Sequence, residues 1–141
     1  MKNIVKKLAK LEEEIAQEKS EKFLLFALFL REDAPGVWDL LVSAHWAEKD
    51  EYGAIKYLAD KIKEHLKPEE ILKLSRIVVI QRQNRYMHEL KEAIQKAIRV
   101  QHGTVEIKNS NFFGLDIKHA YVIASQYNNG PVPMKSACGT R

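Results

Sequence analysis

The chain has 141 residues, 45% of them hydrophobic and 30% charged, with a formal net charge of +4, a composition that suits one domain around one core. Its single cysteine, Cys138, excludes an internal disulfide and a four-thiolate zinc site. The one intense apolar run, eight residues from Phe23, is far below the roughly 20 needed to cross a bilayer, and no basic start leads into it as in a secretory signal, so cytoplasm is the expected location, with no membrane partner.

Ile4, Leu8, Leu11 and Ile15 recur at four- and three-residue spacing with Lys and Glu between them, which predicts an amphipathic helix over residues 3–20 that Ser20 ends. FLLFALFL (Phe23–Leu30) is apolar on both faces and predicts a strand with a layer on each side. EDAPG then supplies a wide connection to a second strand, Trp38–Trp46. Along it Trp38, Leu40, Val42 and Ala44 share one face, while Asp39, Leu41, Ser43 and His45 share the other. Asp50 begins a helix near Glu51–Leu66, and Pro68 opens a short one through Leu74. Ile77–Ile80 is wholly apolar and β-branched, the pattern of an interior strand. A helix follows over about Asn84–Val100, with Met87, Leu90, Ala93/Ile94 and Ala97/Ile98 on its buried side. From Gly103 a half-buried strand runs to Lys108, NSNFFG turns, and Leu115–Ser125 returns.

The order α-β-β-α-α-β-α-β-β, with two antiparallel hairpins, predicts a single α/β (α+β) domain over residues 1–125. Its expected core is a mixed sheet of about five strands flanked by helices. Residues 126–141 lack periodicity and are expected to form a flexible tail.

The segment LREDAPGVWDLLVSAHW, with SRIVVI and HGTVEIKN…GLDIKHAYVIAS, resembles a set of small bacterial and archaeal proteins that carry no functional name. The likeness covers about residues 23–125 and is best at Trp38-Asp39 and Ser43-Ala44. It implies a stand-alone domain and assigns no catalytic residue.

Charge is unevenly placed. Residues 1–70 carry 12 Lys+Arg against 15 Asp+Glu, and residues 71–141 carry 11 against 4, so −3 and +7 sum to the +4 of the chain. A basic second half suits phosphates or an acidic partner. The residues that would meet nucleic acid are Arg76, Arg82, Arg85, Lys91, Lys96 and Arg99, with Arg82 and Arg85 at a strand-to-helix junction.

The catalytic alternative is a metal-dependent nuclease. Glu106 and Lys108 share a strand face, and Asp39 on a neighbouring strand would join Glu106 in holding a divalent cation while Lys108 orients a water. The set resembles the acid-then-Glu-x-Lys arrangement of restriction-type nucleases, although about 67 residues separate Asp39 from Glu106 where that family has them close. Cross-strand ion pairing is the plainer role for Glu106 and Lys108. Around Arg31, Glu32, Asp33 and Asp39, local backbone capping is the plainer role. Trp38 and Trp46 read as partly buried anchors. The five histidines form no metal motif, and a pairing of Ser43 with His45 or His119 is left open. No cofactor is expected, a divalent metal entering only with the nuclease alternative. An interaction or regulatory role is favoured over catalysis, with self-association as a homodimer and contact with nucleic acid or another protein as the partner classes.

Overall fold

The computed structural model describes residues 1–85, 87–96, 98–99, 104–112 and 114–125, with the backbone alone at 96, 98, 99 and 112. The proposed tail, 126–141, lies outside them. Helix α1 (Lys2–Lys19) ends where Ser20 takes the left-handed conformation, φ 52, and its N–H donates back to Gln17. Strand β1 (Leu25–Arg31) pairs antiparallel with β2 (Trp38–Ser43), Leu28 opposite Leu40. Helix α2 (His45–Lys49) follows at once, where the sequence reads as continuing strand. Asp50 then caps α3 (Glu51–His65), its carboxylate accepting from the Gly53 N–H at 3.0 Å. Helix α4 (Pro68–Ile71) has proline in its first turn and leads into β3 (Leu74–Val79), which lies parallel to β2.

On the far side of the chain, α5 (Met87–Lys96) is shorter than its apolar periodicity predicts. Ile98 and Arg99 leave the helix to form β4, a two-residue strand against β5 (Val105–Phe112). The expected NSNFFG turn is mostly strand as well: Phe112 pairs with Leu115 of β6 (Leu115–Ser125), and Asn111 Nδ2 donates to Asp116 Oδ1 at 3.0 Å. Gly114 supplies φ 75 where the hairpin turns, and Asn109 takes φ 50 within β5 itself.

These strands form one mixed sheet ordered β3-β2-β1-β6-β5-β4. It is the expected α/β domain, with β4 added as a sixth, very short strand. Ile4, Leu8, Leu11 and Ile15 of α1 and Ala54, Leu58 and Ile62 of α3 pack on one face, against Phe26, Leu28, Leu40 and Val42. Met87, Leu90 and Ile94 of α5 cover the other, against Leu25, Ala27, Phe29, Leu41 and Val122. The central strand β1 therefore has a helical layer on each side, which is why it carries apolar residues at every position from Leu25 to Leu30. Trp38 is buried. Trp46 packs edge-on against Phe23 and Tyr57, with the Lys19 ammonium 4.8 Å from its ring. No helix among the described residues is long and apolar enough to cross a membrane.

The third strand departs from expectation. Ile77–Ile80 has the composition of an interior strand, yet β3 lies at the edge of the sheet, and Ile77, Val78 and Val79 are only half-buried. Both flanks of β3 are apolar because Ile77 and Val79 lean on the α1/α3 core while Val78 leans on the α5 core.

Glu12 of α1 makes one pH-dependent contribution. Burial, with Glu13 beside it, pushes its carboxyl up to about 7 from an ordinary 4.5. Between those values the unfolded chain has released the proton that the folded chain keeps, so this group lowers stability as pH rises through the interval. Glu12→Gln is expected to be more stable than the parent above about pH 7 and to match it below about pH 4.5, checked by urea unfolding at both ends of the range.

Candidate functional site

Asp39, on the β2 face that also carries Leu41, is buried, and among the described residues no metal-holding partner joins it. Its Oδ2 receives Arg31 Nε from β1 at 2.8 Å and Arg76 Nε from β3 at 3.2 Å. Arg31 also reaches Asp33, Nη1 to Oδ1 at 2.9 Å. A row of alternating charge thus crosses β1, β2 and β3, and its four groups sum to zero. The expected capping role for Asp33 and Asp39 gives way to this ion row, because Arg76 stands opposite Asp39 on β3 and Arg31 lies two residues beyond Phe29, the residue opposite Asp39 on β1.

The three residues of the nuclease expectation are not brought together. Strands β1 and β6 stand between β2 and β5, so Asp39 and Glu106 are three strand spacings, about 14 Å, apart along the sheet. They also occupy opposite faces. Asp39 lies on the α5 side, across from Phe29. Glu106 and Lys108 lie on the α1 side, across from Tyr121 and His119. Among the described residues no group of three His, Cys, Asp or Glu could hold a metal.

Glu106 instead binds His119, Oε2 to Nε2 at 2.5 Å. The imidazole sits 5.4 Å from the Trp38 ring and 4.6 Å from the Tyr121 ring. Burial, then the Glu106 charge, pushes the Tyr121 hydroxyl above its ordinary range. This carboxylate-held imidazole is half-exposed on a face that Ser43 does not share, since Ser43 pairs with Leu25 of the α5-side core. The Ser43–His119 pairing is therefore not formed. His45 has other partners as well: its ring nitrogens contact Arg82 and Glu21.

Of the basic residues expected to meet nucleic acid, two have carboxylate partners. Arg76 is held by Asp39. The Arg82 N–H donates to Glu48 Oε1 at 2.5 Å, and its side chain meets His45. Arg85 is exposed and Lys91 half-buried, and the side chains of Lys96 and Arg99 lie outside the described residues. A hollow of about 360 Å³ is lined by Met1, Lys2, Asn3, Ile4, Glu70 and Lys73. Its only carboxylate is taken by Lys7 at 2.7 Å and by the Lys67 N–H at 2.8 Å.

The outer side of β3 is a further feature. Ile80 N donates to Val42 O at 2.7 Å, so by the alternation of a strand Val78 and Arg76 also turn their backbone groups towards β2, while Ile77 and Val79 turn theirs outward. No strand among the described residues pairs with that side. Only two large hydrophobic residues among those described are strongly exposed: Leu72, 78%, and Tyr52, 83%. They stand at opposite ends of this edge. Leu72 lies two residues before β3. Tyr52 follows Glu51, whose Oε2 holds Gln81 Nε2 just beyond β3 at 2.5 Å. The opposite edge is guarded by β4, by polar residues from Lys108 to Asn111 and by the left-handed Asn109. The β-branched run was visible in the sequence, but its edge position follows from strand order, which local pattern does not encode.

Comparison with protein-family models, with curated proteins and with solved structures returns no match, so the functional reading rests on geometry.

Proposed function

We propose that this chain is an interaction module that docks an extended strand along β3. The observation that carries this reading is the interior-type sequence Ile77–Val79 at an edge position, with outward backbone groups and an exposed apolar residue at each end. Natural sheets blunt exposed edges with charge, proline or bulges; β3 has a register shift between Leu74 and Arg76, but its Ile77–Val79 stretch pairs regularly, and the only charge on β3, Arg76, is held by Asp39. A docked strand satisfies the outward amides of Ile77 and Val79 and covers their side chains, which is recognition by strand addition. The engagement of Arg76 and Arg82 with carboxylates favours a protein partner over phosphate at this edge.

A peptide copying residues 72–81, titrated into isotope-labelled protein, is the probe. It should shift the amide resonances of Ile77 and Val79 and leave Ile107 in place. Unmoved β3 resonances at about millimolar peptide, enough to detect a binding free energy near −4 kcal/mol, would remove the basis for the reading.

A further inference from the structure

Resting on that reading, we infer that the strand received by β3 is β3 of a second copy, paired antiparallel about a two-fold axis at Ile77. Such an axis stands perpendicular to the sheet, keeps both α1/α3 layers on one side, and places the beginning of each edge beside the end of the other. The two exposed hydrophobic residues are arranged for this. Leu72 precedes β3 and Tyr52 lies by its far end, on elements of the same helical layer, so each Leu72 comes to the second copy's Tyr52. Charge follows the same rule: exposed Lys73 approaches the second copy's Glu51, which already holds Gln81.

Backbone geometry selects the register. Outward residues must meet outward residues for hydrogen bonds to form across an antiparallel pair. With Ile77 opposite Ile77, two N–H···O bonds close at the axis and Arg76 faces the second copy's Val78, while Ser75, at the register shift of β3, comes opposite Val79. Sliding one step in one direction puts Arg76 opposite Arg76, a like-charge pair that is disfavoured. Sliding the other way carries Leu72 and Lys73 past their partners. In the chosen register Ile77 and Val79 of both copies form one apolar strip beside α3, and two six-stranded sheets become one of twelve strands.

Light scattering on a sizing column tests this at protein concentrations from about 1 to about 200 μM. The parent should approach twice its 16.3 kDa at the upper end. Leu72→Asp changes a residue 78% exposed, and Lys73→Glu changes another exposed one, so both should keep the fold. Each alters two symmetric contacts and should weaken association about tenfold or more. Adding Glu51→Lys to Lys73→Glu should restore it. A parent that stays at monomer mass throughout overturns the inference, as does a dimer indifferent to Leu72→Asp and Lys73→Glu. If the parent is monomeric while the 72–81 peptide still shifts Ile77 and Val79, the edge docks a different strand and the broader reading stands. If neither associates, both fall.

Discussion

Asp39→Ala is expected to remove about 3 kcal/mol of folding stability, the lower end of the range for stripping one member from a buried ion pair. The Asp39 side chain is 4% exposed and Arg31 18%, so the loss leaves a largely desolvated guanidinium with only Asp33, itself in solvent, to balance it. Arg76 is half-exposed and can turn to water, which keeps the cost from the upper end. Arg76→Ala, which removes the more solvated partner, should cost less than about 1 kcal/mol. Urea unfolding of the two variants checks the contrast. Equal losses would mean that the row is held by contacts other than Asp39. Had Asp39 been a metal carboxylate awaiting its ion, its removal would relieve repulsion and stabilise the apoprotein, so the sign of the change separates the two roles.

Phe26→Ala should cost about 3–5 kcal/mol, through lost burial and the cavity left behind. Phe26 is fully buried on the central strand, and the Phe23 ring lies edge-on to it at 4.9 Å. The helix layer above it, carrying Leu8, Leu11 and Ile15, is anchored from several sides and cannot all follow into the space. A loss below about 1.5 kcal/mol in the same unfolding experiment would mean that the layer collapses onto β1 and that the core is less rigid than its burial indicates.

These two residues also mark where the sequence was informative. A fully apolar strand at Phe23–Leu30 demands cover on both faces, and α1/α3 and α5 provide it. The stripe Ile4, Leu8, Leu11, Ile15 belongs to the core residue for residue, and Asp50 caps α3 as its position before Glu51 implies. Local pattern was weaker where strand and helix propensity compete: His45–Lys49 winds into α2, and Ile98–Arg99 leaves α5 for β4. It had no access to strand order. The separation of Asp39 from Glu106 depends on β1 and β6 coming between their strands, and the opposite faces depend on hairpin register. The row Arg31–Asp39–Arg76 likewise joins residues 8 and 37 positions apart in the chain through a parallel crossover that no short window contains.

The same gap in local pattern gives β3 its meaning. An interior composition at an edge is inconsistent within one copy and consistent within two, since pairing makes the edge interior and gives the outward amides their acceptors. The Glu106–His119 pair, held against Trp38 and Tyr121 on the α1 side of the sheet, takes no part in that interface.

Amide hydrogen exchange at three successive residues tests this most directly. Val78 turns its N–H to β2 and should be protected at every protein concentration. Ile77 and Val79 turn theirs outward, and should exchange rapidly in dilute protein and become protected as the concentration rises. Protection at Ile77 and Val79 that does not depend on concentration, whether high or low throughout, would contradict the account of β3 as the place where two copies join.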